Sequence, residues 1–104
     1  MIIAEGNTVH AYELILPNGQ RYPFKTIDPL PLEIMQALVG GYIEAIPDVG
    51  FWNIKEKLEG EHACYCNEDG VSLNLEPNIF TRSPDGDCII FGNILIDYNP
   101  QEEI

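Results

Sequence analysis

The stretch Leu30-Pro31-Leu32-Glu33-Ile34-Met35-Gln36-Ala37-Leu38-Val39-Gly40-Gly41-Tyr42-Ile43-Glu44-Ala45-Ile46 reads as one helix, a glycine stop and a strand. Pro29 and Pro31 push Asp28 and Leu30 out of the α region, while Pro31 itself suits a first helical position, where no amide donor is needed. The spacing predicts a helix over 31–39. Leu32, Met35, Leu38 and Val39, with Ile34 alongside, form the buried stripe, and Glu33 and Gln36 face water. Gly40 supplies the left-handed residue that ends the helix. Residues 42–46 are rich in strand formers, so helix and strand should meet at a sharp corner.

Strands are expected on both sides of this unit. Residues 8–16 are rich in strand formers and lead into Pro17-Asn18-Gly19-Gln20, where Asn-Gly favours a type I′ hairpin. Residues 20–25 then return antiparallel, with Pro23 marking an edge strand because it cannot donate to a ladder. Further on, residues 62–66 read as a strand, Asn67-Glu68-Asp69-Gly70 as a turn, and residues 71–75 as the return of a second hairpin. A brief helix fits 76–82, and strands fit 88–91 and 94–98 around Gly92-Asn93. The expected fold is a single α+β domain over 1–104. It has an antiparallel or mixed sheet of five to seven short strands, one main helix over about 31–39 and room for a second short one.

At 104 residues the chain buries enough surface for a core without metal or disulfide support. With 45% hydrophobic residues it belongs to the folded globules despite a net charge of −12. That charge is uneven: residues 1–57 carry seven acids against four cations, whereas 58–104 carry ten against Arg82 alone. Such a field repels phosphate backbones and anionic membranes and attracts basic protein surfaces, so direct nucleic-acid and membrane binding are disfavoured. The first residues, Met1-Ile2-Ile3-Ala4-Glu5-Gly6-Asn7, have no basic n-region, and no apolar run reaches 18 residues. Three cysteines, with Cys64 and Cys66 two apart, agree with a reducing compartment. The chain is expected in the cytoplasm.

Candidate chemistry is thin. His62, Cys64 and Cys66 share one strand face, with Cys88 able to approach from a neighbour, but zinc knuckles space their cysteines differently, and half-buried thiols are the simpler reading. A thiol nucleophile needs a base and a stabilised thiolate. The acidic surroundings raise a cysteine pKa, and neither His10 nor His62 lies in a triad motif. Glu68-Asp69 and Asp85/Asp87 are carboxylate pairs in glycine-marked turns, where aspartate more often caps its own backbone than ligates a metal. Aromatic residues such as Tyr42 and Tyr65 are expected in the core. Phe51-Trp52 is different, because two adjacent rings in an extended segment cannot both point inward. No catalytic residue, cofactor or metal is expected.

Four stretches together resemble an uncharacterised family of small domains found in phages, plasmids and bacterial genomes. They are Gly40-Gly41-Tyr42-Ile43-Glu44, Cys66-Asn67-Glu68-Asp69-Gly70, Pro77-Asn78 and Asp87-Cys88-Ile89-Ile90-Phe91-Gly92-Asn93. The resemblance runs from about Leu32 to Ile96. It implies a mobile-element origin and a compact fold, and it carries no catalytic residue. The segment around 52–61 is longer than the family's connection at that point.

Two functions follow as expectations. The first is a non-enzymatic inhibitor or interaction protein that occupies a basic, nucleic-acid-binding surface of a host protein, in the service of host-defence counteraction. Its contact residues would be Glu59, Glu61, Glu68, Asp69, Glu76, Asp85 and Asp87, with Trp52 as apolar anchor. The alternative is a small-ligand binder that sequesters a nucleotide signal, with a homo-oligomer interface built on an exposed sheet edge and Phe51-Trp52. Phosphate would then require at least two of Arg21, Lys25, Lys55, Lys57 and Arg82 to converge.

Overall fold

Pro31 is extended (φ −67°, ψ 154°) and its carbonyl accepts from the amides of Ile34 and Met35 at 3.0 and 3.1 Å, so helix α1 spans Leu32–Val39. The computed structural model describes residues 9–46, 63–81 and 90–98. Gly40 closes the helix at φ 84°, a left-handed position that costs a residue without Cβ nothing.

Among the described residues five strands accompany α1: β1 (His10–Ile15), β2 (Arg21–Thr26), β3 (Ile43–Ala45), β4 (Ala63–Asn67) and β5 (Ile94–Asp97). Every pairing is antiparallel and the order is β2-β1-β5-β4-β3. The sheet is thus antiparallel and the fold α+β. Helix α1 follows β2, an outer strand on one side, and precedes β3, the outer strand on the other. β5, the last of the described strands in sequence, sits at the centre. Its Ile94, Leu95 and Ile96 have no exposed surface, as expected of a strand covered on both faces.

Alternation along the strands separates two cores. On the helix face, Tyr12, Val39 and Leu95 are buried together, with Phe24, Leu30, Met35, Leu38, Ile43 and Tyr65 packed around them. Opposite, Ile15, Cys64, Ile94 and Ile96 form a second cluster with Ile46, Ile90 and Tyr98. Each fully buried isoleucine or leucine contributes about 1.5–3 kcal/mol relative to an exposed one.

Several sequence expectations are corrected. Leu32 and Ile34 are 58% and 44% exposed, because only the C-terminal half of this eight-residue helix is buried, through Met35, Leu38 and Val39. At its other end the packing passes to Leu30, whose amide donates to the Tyr12 hydroxyl at 3.0 Å. The β1–β2 turn is not type I′, since Asn18 does not enter the left-handed region. Pro17 and Asn18 form a turn closed by Gly19 N–H to Leu16 O at 2.9 Å, and Gly19 alone takes a positive φ, 90°.

The second hairpin is absent. Residues 68–74 fold as consecutive turns, and β4 pairs with β3 and β5 instead of with 71–75. The brief helix is a 3-10 turn at Ile79–Thr81. Phe91 forms an isolated bridge with Pro77, while Cys88 and Ile89 lie outside the described residues, as do the segments 51–54 and 55–62.

Candidate functional site

Three asparagines bind the loops to the sheet and helix. Val39 O accepts from the Asn67 side-chain amide at 3.2 Å, and Leu38 O accepts from that of Asn93 at 2.9 Å. Gly40 and Gly41 donate their amides to Gln36 O. The carbonyls of Gln36, Leu38 and Val39 are therefore satisfied by neutral donors, and no basic residue lies in the last turn. Asn78, fully buried, donates to Ile15 O at 3.2 Å and Gly92 O at 2.9 Å. Asn18 caps its own turn by accepting from Gln20 N–H at 3.0 Å.

Two glycines are required by close approach. A Cβ on Gly70 would lie 2.5 Å from Phe91 O, and one on Gly41 would lie 2.9 Å from the Asn67 amide nitrogen. The stretches that carry the family resemblance thus hold residues with structural work: donors to buried carbonyls, and backbone that passes too near a neighbour for a side chain.

Charge is placed differently. Among the described residues the cations are Arg21 and Lys25, both on β2. Glu44 stands on β3, the outer strand at the opposite side, and Glu68 and Asp69 follow β4 beside it. Glu68 N–H donates to Tyr42 O at 2.8 Å, which brings Tyr42 against this turn. Glu44, Glu68 and Val71 line one shallow depression with Cys66 and Phe91, and Glu76 lines another with Gly40 and Asn93 at the end of α1. Tyr42 and Val71 are 67% and 72% exposed, and Leu73 is exposed too. Glu44, Glu68, Asp69 and Glu76 form no ion pair among the described residues.

Of the acids read from sequence, Glu68 and Asp69 therefore lie beside β3, whereas Glu76 lies apart from them, at the end of α1 beside Pro17 of the β1–β2 turn. Trp52, Glu59, Glu61, Asp85 and Asp87 lie outside the described residues. Asp69 does not cap its turn; Asn67 does, its side-chain oxygen accepting from Asp69 N–H at 2.8 Å, which leaves the carboxylate exposed. Tyr42 corrects the expectation that it is core, while Tyr65 is packed as expected. Sequence reasoning missed Tyr42, Glu44, Val71 and Leu73. The signal for Tyr42 is the Gly40-Gly41 pair, which turns the chain away from the helix and delays the strand to Ile43.

On the face away from α1, Arg21 grips Glu13 with two bonds, Nε to Oε2 at 2.5 Å and a terminal nitrogen to Oε1 at 2.6 Å. The Tyr98 hydroxyl donates to Glu13 Oε1 at 2.5 Å. Burial alone would raise the Glu13 carboxyl, but the Arg21 and Tyr98 hydrogen bonds and the guanidinium charge outweigh it and hold the pKa below its ordinary value. Burial, with the Glu13 carboxylate, pushes the Tyr98 phenol up to about 12.

The thiols are placed for inertness. Cys64 and Cys66 are buried opposite Ile96 and Ile94, and burial, aided by the Glu44 charge, lifts the Cys66 pKa to about 11. No group of three metal-ligating side chains occurs among the described residues; His62 and Cys88 lie outside them. No described helix is long and apolar enough to cross a membrane.

A family model, the domain of unknown function DUF3846, matches residues 13–103. The chain belongs to that family. No curated protein and no solved structure matches it. The DUF3846 match takes in every described strand and the helix except the first three residues of β1, so the sheet, the asparagine anchors and the acidic pole all belong to the family domain.

Proposed function

We propose that this DUF3846 domain is a non-enzymatic interaction protein of a phage-like mobile element that occupies a basic, nucleic-acid-binding surface of a host protein. One observation carries the reading: Glu44, Glu68 and Asp69, which form no ion pair among the described residues, stand with exposed Tyr42 and Val71 beside outer strand β3, while both described cations lie on the outer strand at the other side. An aromatic anchor within a charged rim is the composition of a protein hot spot. A net charge of −12 steers it to basic partners and away from nucleic acid and anionic membrane. Trp52, Glu59, Glu61, Asp85 and Asp87 join this surface on the sequence alone, and the setting is the host cytoplasm.

The test is capture from host lysate at low and high salt, followed by competition with duplex DNA. A captured DNA-binding protein that salt and DNA both release, and that a Glu68→Lys/Asp69→Lys variant does not hold, supports the reading. A partner held equally by the variant, or unaffected by DNA, overturns it.

A further inference from the structure

A second feature, separate from the acidic pole, lies at the other side of the sheet. Ala11, on β1, stands opposite Lys25 of β2 in register and accepts from Tyr98 N–H at 2.9 Å on its other side. Alternation puts Ala11, Pro23, Lys25 and Tyr98 on the face away from α1. A small residue between larger ones leaves a trough, and an open cleft of about 580 Å³ is lined there by Ala11, Tyr12, Pro23, Phe24, Lys25 and Tyr98. That volume falls within the range of small-molecule sites, roughly 300–1,000 Å³.

The chemistry of the walls is specific. Pro23 and the Tyr98 ring offer flat apolar surfaces, and the Tyr98 ring is held still because its hydroxyl is fixed on Glu13 and within 3.4 Å of Arg21. Such a wall needs little ordering when a ligand arrives. Lys25 supplies the polar group, and it has no ion pair among the described residues. Arg21, the other described cation, is matched by Glu13, so it adds a dipole and no net charge. One net positive charge beside an apolar trough suits a monoanion; a polyphosphate would need a second free cation.

We propose that this trough is a binding site for a small aromatic carboxylate, its ring against Pro23 and Tyr98 and its carboxylate on Lys25. The site sits against the outer strand that carries both described cations, within a protein whose net charge is −12. Binding here uses none of the residues of the acidic pole, so it stands or falls independently of the partner-binding reading.

The experiment is a titration of the 15N-labelled protein with 2-naphthoate, followed by amide shifts, with 2-naphthamide and cyclohexanecarboxylate as the neutral and non-aromatic probes. The expected result is saturable shifts centred on Ala11, Lys25 and Tyr98. Loss of one charge-assisted hydrogen bond should weaken binding about tenfold, both for 2-naphthamide and for 2-naphthoate on a Lys25→Gln variant. Lys25 is exposed, so that variant keeps the fold. Glu68→Gln/Asp69→Asn should bind 2-naphthoate as the unaltered protein does. Equal affinity for 2-naphthoate and 2-naphthamide, unchanged affinity on Lys25→Gln, shifts centred elsewhere, or no saturation would each overturn the proposal.

Discussion

The Asn67 side chain spans the gap between the end of β4 and the end of α1, donating to Val39 O at 3.2 Å while its oxygen accepts from Asp69 N–H at 2.8 Å. Both halves of the amide are used, and the residue is only 4% exposed. It therefore orders the turn that carries Glu68 and Asp69 and, through Val39, fixes that turn to the helix.

Replacing Asn67 tests this joint. Asn67→Ala strips the buried Val39 carbonyl of its donor, a loss of roughly 1–3 kcal/mol in urea denaturation. Asn67→Asp should be worse, because it keeps the acceptor for Asp69 N–H but sets a carboxylate against the Val39 carbonyl in a buried position. A variant Asn67→Asp as stable as the unaltered protein would mean that the donated bond contributes nothing.

The Glu13–Arg21–Tyr98 cluster gives opposite signs at the two ends of the pH scale. Glu13 has a lowered folded pKa, so its contribution is present above its ordinary value of 4.5 and is lost as pH falls through the lower folded value. Glu13→Gln should be the less stable protein at neutral pH, and the gap should close in acid. Tyr98 has a raised folded pKa, so its contribution is full below 10 and declines between 10 and about 12. The stability difference between the unaltered protein and Tyr98→Phe should therefore shrink across that alkaline window, read by chemical denaturation at each pH.

Cysteine labelling checks the inert-thiol reading. With a pKa of about 11 against an ordinary 9.0, Cys66 holds roughly a hundredfold less thiolate at pH 8 than an unperturbed thiol. Iodoacetamide should modify it at least that much more slowly in the folded protein than in urea, measured peptide by peptide. Equal rates in the two states would reopen Cys66 as a nucleophile.

What the sequence makes legible here is local, and what it hides is long-range. Pro31 and Gly40 bound the helix by fixing backbone angles at single positions, so its limits can be read to within a residue. The burial of Leu32 cannot be read that way. The apolar spacing says which side chains share a face, but not how much of that face the sheet reaches, and here Leu30 takes over at the N-terminal end. In the same way, Asp-Gly at 69–70 marks a turn without saying that the strand beyond it is missing. The insertion of β5 between β1 and β4 joins segments some 80 residues apart, and it decides that β4 has no partner in 71–75. Glu68 and Asp69 are visible in the sequence as acids, but their placement opposite Arg21 and Lys25 exists only once β2 and β3 occupy the two outer positions.

On the proposed partner-binding reading, that arrangement predicts which step of binding each residue would govern. Glu44, Glu68 and Asp69 are exposed and unpaired among the described residues, so their effect on a basic partner is long-range attraction, screened over about 8 Å at physiological salt. Glu68→Lys/Asp69→Lys should slow association, with the largest effect at low salt, and should alter dissociation little. Tyr42 acts at contact. Tyr42→Ala should leave the association rate near its original value and speed dissociation, by roughly thirtyfold if the ring is a hot spot worth about 2 kcal/mol. Because Tyr42 is 67% exposed and its carbonyl, not its ring, holds Glu68 N–H, the substitution should not disturb the turn. Surface plasmon resonance with the captured partner at two salt concentrations separates the two rates. If Tyr42→Ala changes only association, or if the charge reversal changes only dissociation, the division between steering and anchoring fails, and the pole is merely a solvated surface.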